Sequence, residues 1–282
     1  MKIAWIGCGV MGKAMLLHLV NDENEIHVYN RTLSKLNDLP QTILKYDNIK
    51  DCVKDCDFIF TMVSYPKDVE EVYLNDNGII NNAKADAILI DMTTSSPDLA
   101  KKIATFAKQE VLDAPVSGGD SGAKAGTLSI MVGGNETTYE KAYPLFAKMG
   151  NNINLIGLHG FGQHCKMCNQ IAVAGATAAY SEALVYMQEN ALNPDIVLKA
   201  IASGAAGSWQ LTNMAPRVLN GDFDPGFFIK HFTKDMRIAK EVMKKHNITL
   251  EMLDSVYNMY ADLEKKGYED WGTQSLIKYY KK

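Results

Sequence analysis

The stretch Lys2-Ile3-Ala4-Trp5-Ile6-Gly7-Cys8-Gly9-Val10-Met11-Gly12 decides how this chain begins to fold, because an apolar run leads directly into three closely spaced glycines. Residues 13–20 then carry apolar side chains at helical spacing, so the glycines join a predicted strand to a predicted helix. A G-x-G-x-x-G pattern in this strand, turn and helix context indicates a dinucleotide-binding site.

Each of the three glycines has a separate use in such a site. Gly7 permits a tight turn, Gly9 has no Cβ and lets a pyrophosphate approach the backbone, and Gly12 lets the helix pack against the strand. The helix then directs its first N–H groups at the phosphate charge. The expected cofactor contacts of this turn are Gly7, Cys8, Gly9, Val10, Met11 and Gly12.

The end of the second predicted strand indicates which dinucleotide is bound. A site for NAD usually has an acidic residue there, about 20 residues after the glycines, which binds the ribose hydroxyls. Here residues 26–29 are followed by Asn30, Arg31 and Thr32. Arg31 offers a planar, permanently charged fork that suits a phosphate, and its two neighbours add hydrogen-bonding groups. We therefore predict NADP(H) rather than NAD(H). The alternative is that Arg31 is a solvated charge at the start of a helix, where the dipole disfavours a cation.

Composition and charge describe a well-packed protein with room for two domains, since 47% of the 282 residues are hydrophobic. The 29 basic and 33 acidic residues are spread along the chain, without the basic block that a nucleic-acid partner requires. The longest apolar stretch, residues 171–179, is far shorter than the ~20 residues of a membrane span, and the first residues lack a secretory signal pattern. We expect a cytoplasmic protein whose partner is a small molecule, not nucleic acid or a membrane.

The five cysteines are scattered, which in a chain without a secretion signal indicates reduced thiols. Cys165 and Cys168 form a C-x-x-C pair beside His164, which could be half of a zinc site or a redox pair. The sequence has no second C-x-x-C or H-x-x-H partner, and we expect these cysteines on a helix. We therefore predict no metal site.

Predicted strands and helices alternate through the first half of the chain, which indicates a mainly parallel sheet with helices on both faces. After the first two strands, the predicted strands are residues 43–44, 58–63, 87–92, 110–112, 128–132 and 154–156. From Gln163 onward only amphipathic helical stretches follow. The expected architecture is α/β, with an N-terminal Rossmann dinucleotide-binding domain at residues 1–160 and an all-α domain at residues 161–282. The last two residues, Lys281 and Lys282, are expected to fray.

Small polar residues follow two of the predicted strands, at the edge where open α/β sheets bind ligands. One stretch is Met62-Val63-Ser64 and the other is Asp91-Met92-Thr93-Thr94-Ser95. We expect both to line the cofactor pocket, with a hydroxyl of the second reaching the nicotinamide ribose. The alternative is that Thr93 and Thr94 only cap the next helix.

A third stretch, Asp113-Ala114-Pro115-Val116-Ser117-Gly118-Gly119, offers a serine hydroxyl followed by two glycine N–H groups. Such a small nest of donors suits a carboxylate. A plain turn, the alternative, would need only one glycine. We therefore predict that Ser117, Gly118 and Gly119 bind the substrate.

The helix that follows Gly162 carries Lys166, Asn169 and Gln170 at positions i, i+3 and i+4, hence on one face. An ammonium group beside two amides on an otherwise apolar, alanine-rich helix is a poor solvated surface. It indicates a buried polar cluster near a domain junction. We therefore expect a catalytic role for Lys166 rather than the alternative, an exposed surface lysine.

In chain order, four motifs stand out: Gly7-x-Gly9-x-Met11-Gly12, Asp113-x-Pro115-Val116-Ser117-Gly118, Gly160-x-Gly162-x-x-x-Lys166-x-x-Asn169 and Lys234-Asp235-Met236. With them the chain resembles the β-hydroxyacid dehydrogenase family, the relatives of 3-hydroxyisobutyrate dehydrogenase, tartronate semialdehyde reductase and glyoxylate/succinic semialdehyde reductase. The resemblance covers nearly the whole chain, and Asn30-Arg31-Thr32-Leu33-Ser34-Lys35 is similar to the NADPH-using reductases among these proteins.

The resemblance implies an NADP(H)-dependent enzyme that interconverts a short β-hydroxyacid, a 4-hydroxyacid or glycolate with the matching aldehyde acid. It also implies a long helix between the domains and a homodimer or homotetramer. Lys166 would be the general acid in reduction and the base in oxidation. The implied substrate residues are Ser117, Gly118, Gly119, Asn169, Gln170 and Lys234, while Thr94 and Lys234 would contact the cofactor.

Two departures from the family pattern leave the substrate open: Gln170 stands where many members carry a second Asn, and residues 269–273 lack an Asp-Phe-Ser run. An imine reductase is one rival, although the position of Lys166 usually holds another residue there. A non-catalytic NADP(H)-sensing module is another, although it would not need Ser117, Lys166 and Asn169 together. A decarboxylating 6-phosphogluconate dehydrogenase would require a much longer helical domain.

Overall fold

The computed structural model describes residues 1–280, which divide into two compact units. The first unit is Met1–Lys166, and the second runs from Met167 onward. The expectation about Lys281 and Lys282 lies outside the described residues. Among the described residues, no helix combines the length and apolar character that crossing a bilayer requires.

Nine strands form one sheet in the first unit, within the part of the chain that the structure describes. They are β1 (Lys2–Ile6), β2 (Glu25–Tyr29), β3 (Leu44–Tyr46), β4 (Phe58–Thr61), β5 (Ile88–Asp91), β6 (Glu110–Asp113), β7 (Val116–Ser117), β8 (Leu128–Gly133) and β9 (Gly150–Gly157). The first six run parallel in the order β3-β2-β1-β4-β5-β6, the strand order of a dinucleotide-binding fold. Strand β8 is antiparallel to β6 and β7 and parallel to β9.

Helices cover both faces of this sheet, as the alternating pattern predicts. They are α1 (Val10–Leu17), α2 (Ile49–Val53), α3 (Pro66–Leu74), α4 (Ile79–Asn82), α5 (Pro97–Phe106), α6 (Gly119–Ala125) and α7 (Glu136–Met149), with a 3-10 turn at Leu33–Leu36. Helix α1 begins at Val10, so the third glycine of the turn lies inside its first turn.

Successive residues of β4 show how the sheet separates two apolar cores, because side chains alternate between faces along a strand. Phe60 stacks on Trp5, with ring centroids 5.3 Å apart, and meets Phe146 of α7 edge-on. Ile59 packs into the other core together with Tyr73 of α3. Both cores are closed to solvent, which makes the sheet a rigid base for the loops at its edge.

The second unit is built from helices around its own apolar core. Its elements are α8 (Phe161–Glu189), which begins in the first unit, α9 (Pro194–Ile201), α10 (Trp209–Asn213), α11 (Ala215–Leu219), α12 (Ile229–Lys244), α13 (Glu251–Lys265) and a 3-10 segment at Thr273–Tyr279. No strand occurs among described residues 167–280, as predicted; one isolated bridge joins Phe228 and Gly272. Phe232 of α12 and Tyr260 of α13 meet edge-on at the centre of this core.

Every strand expected from the sequence is present in the structure, but the boundaries differ. The last predicted strand, residues 154–156, is part of the longer β9, whose half-exposed polar residues hide its pattern. The sequence prediction missed β7, because two residues are too few to show an alternation of apolar and polar side chains.

Candidate functional site

The loop after β1 leaves the sheet between β2 and β4, the point where the strand order reverses and where such sheets bind ligands. Gly7 has φ +103°, a conformation that side-chain-bearing residues rarely adopt. A Cβ on Gly7 would also lie 2.9 Å from the carbonyl carbon of Met62. The turns after β1 and β4 therefore pack directly on each other, and only glycine fits there.

The start of α1 fits a bound pyrophosphate. No heavy atom lies within 4 Å of the position that a Cβ on Gly9 would take, so the backbone is open at this point. No side chain caps the helix, and its first turn holds no acidic residue. A Cβ on Gly12, in contrast, would collide with the Gly7 carbonyl oxygen, so the helix sits close against the turn. These are the features by which a helix N-terminus binds phosphate.

Charges around Cys8 favour an anion at this loop. Burial raises the pKa of the Cys8 thiol to about 12, so the thiol is neutral. The positive charges of Lys13 and Lys35 lower the same pKa, so both lysines lie near the thiol. The negative charge of Asp38, which pairs with Lys13, raises it. The loop is thus bordered by cationic side chains, as a phosphate site requires.

Asn30, which directly follows β2, hydrogen-bonds to the loop after β1. Its side-chain oxygen accepts a hydrogen bond from the Cys8 N–H at 2.8 Å, and its amide donates to the Thr32 carbonyl at 2.8 Å. Both polar ends of the side chain are therefore used within the protein. Asn30 therefore holds the loop after β1 in shape, whereas the sequence pattern predicted only a hydrogen-bonding group beside the ligand.

Arg31 extends from the same strand end into solvent, with 76% of its side chain exposed. Its Nη1 lies 3.2 Å from Oδ1 of Asp68, in the first turn of α3. The other carboxylate oxygen, Oδ2, accepts a hydrogen bond from the Tyr65 N–H at 3.0 Å. The guanidinium is therefore accessible to a ligand and lies next to a fixed acid.

A buried hydrogen-bond network holds the loops after β4 and β5. The Thr61 hydroxyl donates to Oδ1 of Asp91 at 2.8 Å, and the Thr93 N–H donates to the same oxygen at 3.0 Å. The Val63 N–H in turn donates to the Thr93 hydroxyl at 3.0 Å. Because all these polar groups are satisfied by one another, the stretch 62–64 and the half-buried Thr94 have fixed surroundings.

Asp113, the last residue of β6, holds the start of α8. Its Oδ1 accepts from the Gly160 N–H at 2.7 Å and its Oδ2 from the Gln163 N–H at 2.9 Å. Burial raises the pKa of this carboxyl group to about 7, although the two N–H donors act in the opposite direction. An acid that accepts from the first free N–H groups of a helix fixes where that helix begins.

Gln163 joins the same helix to the loop after β5. The side chain is fully buried; its Oε1 accepts from the Ser95 N–H and its Nε2 donates to the Thr93 carbonyl, both at 2.8 Å. Lys166 follows three residues later and is 6% exposed. The two loops that end β5 and β6 are thus bonded to the turn of α8 that precedes the lysine.

Ser117 ends the short strand β7 and is followed by two glycines with positive φ angles. Gly118 has φ +136° and Gly119 has φ +61°. Gly118 is exposed, and Ser117 and Gly119 are partly exposed. These three residues are thus at least partly open to solvent, as a site for a small anion requires.

In the second unit, a chain of polar side chains joins α8 to α12. Asn169 donates to Oε1 of Gln170 at 2.7 Å, and Gln170 donates to Oδ2 of Asp235 at 2.6 Å. The Lys234 ammonium lies 3.1 Å from Oδ1 of Asp235 in a buried ion pair. Nearby, burial and the positive charges of Lys234 and Lys230 lower the pKa of His231 to about 4.

The sequence motifs contain several of these residues but do not reveal the acids and amides that hold them in place. Asp113 and Asp235 are named in the motifs, Gln163 occupies an unspecified position in one of them, and none of the three has a predicted role. The available signal was an acidic or amide residue inside an apolar motif, which is costly to bury unless it is hydrogen-bonded. Among the described residues, no group of three or more His, Cys, Asp and Glu is placed to hold a metal ion.

Comparisons with known proteins cover both units. Residues 2–157 match a family model described as the NAD binding domain of 6-phosphogluconate dehydrogenase, and residues 160–280 match one described as NAD-binding of NADP-dependent 3-hydroxyisobutyrate dehydrogenase. An uncharacterized oxidoreductase of Bacillus subtilis is 51% identical over 98% of this chain and 97% of its own length. The 2-hydroxy-3-oxopropionate reductase of Escherichia coli is 37% identical over 86% of this chain and 85% of its own. A solved structure of Mycobacterium tuberculosis 3-hydroxyisobutyrate dehydrogenase with L-serine superimposes with a TM-score of 0.91 and 26% identity, covering 100% of this chain and 99% of that one.

Proposed function

The chain belongs to the β-hydroxyacid dehydrogenase family of NAD(P)-dependent oxidoreductases, and from this we propose that it reduces a short aldehyde acid to the hydroxyacid with NADPH, and catalyses the reverse reaction. The product class is a β-hydroxyacid, a 4-hydroxyacid or glycolate. Two relatives support this class by their names, one as a reductase of an oxoacid and one as a hydroxyacid dehydrogenase.

The proposed cofactor is NADP(H), held by the loop after β1 and by Arg31. The open backbone at Gly9 and the uncapped start of α1 fit the pyrophosphate. The exposed guanidinium of Arg31, with Thr32 next to it, fits the 2′-phosphate that distinguishes NADP from NAD. Residues 62–64 and Thr94 follow strands that end at the same edge and complete the proposed cofactor contacts. When bound, NADPH supplies the hydride that reduces the substrate carbonyl carbon.

Lys166 is the proposed general acid and base. As the carbonyl oxygen gains negative charge, the ammonium group of Lys166 stabilises that charge and donates a proton to it. In the oxidation, the neutral amine accepts the proton from the hydroxyl group. The observation that carries this assignment is the burial of Lys166 in α8. The lysine lies one helical turn after the start of α8, which is held by hydrogen bonds to Asp113 and by the side chain of Gln163.

The proposed substrate contacts divide by role. Ser117, Gly118 and Gly119 bind the substrate carboxylate through a hydroxyl and two N–H groups. Asn169 orients the reacting group, and Lys234 contacts the substrate or the nicotinamide. Gln170, a further proposed substrate contact, bonds to Asn169 and Asp235 and so also holds these side chains in place. A homodimer or homotetramer formed through the helical unit completes the proposal.

A screen of short aldehyde acids with NADPH, NADH as the control cofactor and a cyclic imine as the control substrate tests this function. We expect turnover with one or more aldehyde acids and NADPH, and little with the imine. In Lys166→Ala, turnover is expected to fall by orders of magnitude while fluorescence titration still detects NADPH binding. Lys141→Ala, which removes an exposed lysine on α7, is the matched control.

Each contrary outcome has a specific meaning. Retained turnover in Lys166→Ala would exclude that residue as the acid. A preference for the imine would indicate imine reduction instead. NADPH binding without turnover on any carbonyl compound would indicate a non-catalytic module, and light scattering that finds only a monomer would contradict the proposed assembly.

A further inference from the structure

Asp68 has two contacts that fix it beside the proposed 2′-phosphate site. It is the third residue of α3, and its Oδ2 accepts a hydrogen bond from the Tyr65 N–H at 3.0 Å. Its side chain is only 11% exposed. A carboxylate at this position is also favoured by the helix dipole. The acid therefore has little freedom to move away from whatever approaches Arg31.

Arg31 differs from Asp68 in mobility and in unused binding capacity. Its side chain is 76% exposed, and one hydrogen bond of 3.2 Å joins Nη1 to Oδ1 of Asp68. A guanidinium has five N–H donors, so a fork of donors is left over for an anion. Any phosphate that this fork binds comes within several ångströms of the fixed carboxylate.

We propose that Asp68 is a specificity-determining residue that weakens the binding of the 2′-phosphate and so limits the preference for NADP(H) over NAD(H). The inference rests on the proposed contact between Arg31 and the 2′-phosphate. A phosphate with one to two negative charges, held by Arg31 on the side away from Asp68, is repelled by the carboxylate through partly solvated space. For charges about 6–7 Å apart in a water-like medium, this repulsion corresponds to a roughly three- to ten-fold loss of affinity at low salt. The loss shrinks as salt screens the charges.

The test replaces the acid by its neutral isostere and measures binding of the part of the cofactor that carries the phosphate. Asp68→Asn keeps a side-chain oxygen that can accept from the Tyr65 N–H, so α3 is expected to fold as before. Glu70→Gln is the matched control, because Glu70 is an acid on the same helix and pairs with Lys102 at 2.6 Å. It follows Asp68 by two residues, so the two side chains lie on different faces of the helix. Arg31→Gln reports on the phosphate contact itself.

Calorimetry measures the affinity for adenosine 2′,5′-bisphosphate and for 5′-AMP. The two ligands differ only in the 2′-phosphate, so the difference in affinity gives the contribution of that phosphate. We expect Asp68→Asn to bind the bisphosphate three- to ten-fold more tightly than the wild type, with 5′-AMP unchanged, and the gain to decline with added salt. Glu70→Gln is expected to match the wild type with both ligands. Intact folding is checked by the thermal unfolding midpoint of each variant.

Two different results would overturn two different statements. If the wild type prefers the bisphosphate and Arg31→Gln loses that preference, but Asp68→Asn binds it no more tightly, then Asp68 does not limit specificity. Weaker binding in Asp68→Asn would show that the acid positions the guanidinium instead, and would equally refute the inference. If the wild type does not discriminate between the ligands and Arg31→Gln changes nothing, the proposed NADP(H) preference itself is wrong.

Discussion

Replacing Gln163 with leucine tests whether the hydrogen bonds at the start of α8 position the proposed catalytic lysine, Lys166. The change keeps a side chain of broadly similar size but leaves the buried Ser95 N–H and Thr93 carbonyl without their 2.8 Å partners. Each unsatisfied buried group costs about 1–3 kcal/mol, so with two such groups the free energy of unfolding should fall by roughly 2–6 kcal/mol. At about 2–4 °C per kcal/mol for a chain of this size, the unfolding midpoint should fall by about 4–24 °C.

A second buried glutamine provides the control. Gln109 donates to the carbonyls of Ile80 and Ala83, both at 3.1 Å, and lies away from the strand ends that form the site. Gln109→Leu should therefore lose similar stability without loss of turnover. In Gln163→Leu we expect kcat to fall at least about ten-fold, because small misplacements of a catalytic group are costly. The measurements are urea unfolding and steady-state kinetics below both midpoints. Equal kcat values in the two variants would refute a positioning role for Gln163.

The remaining predictions concern the phosphate loop and the response to acid. Gly7→Ala should prevent stable folding of the loop, because Gly7 has a φ of +103° and an added Cβ would collide with Met62. Gly9→Ala should leave the unfolding midpoint nearly unchanged and weaken NADPH binding at least ten-fold. Equal effects of the two changes would contradict the assigned roles. The pKa of His231 is lowered to about 4 in the folded state from about 6.5 when unfolded, so the unfolded chain binds more protons in between. The wild type should therefore lose about 1–2 kcal/mol relative to His231→Gln as the pH falls from 6.5 to 4, after allowance for partial exposure. Parallel stability curves for these two proteins in urea would contradict that pKa.

The fold could be predicted largely from local patterns. The first strand, the glycines and the start of α1 are neighbours in the sequence, so their spacing alone predicts the nucleotide-binding turn. The alternation of strands and helices predicts the parallel sheet in the same way. The strand order itself becomes visible only in the structure, where β1 lies between β2 and β4.

The supports of the site could not be predicted, because their partners are distant in the sequence. Gln163 and Ser95 are 68 residues apart, Gly160 and Asp113 are 47 apart, and no periodic pattern connects them. Local reasoning finds side chains that have chemistry of their own, such as Lys166. It does not find a glutamine whose use is to satisfy the backbone of another loop, because that use exists only after the sheet has formed.

The position of Asn30 decides how the cofactor preference of this enzyme could be redesigned. An aspartate at position 30, placed to imitate an acid that binds ribose hydroxyls, would keep an acceptor for the Cys8 N–H but would set a carboxylate oxygen against the Thr32 carbonyl. The turn that is proposed to bind the pyrophosphate would then be disturbed as well. Given the proposed NADP(H) preference, a change toward NAD(H), in the laboratory or during divergence of relatives, is expected to proceed through position 31 and to retain the asparagine before it.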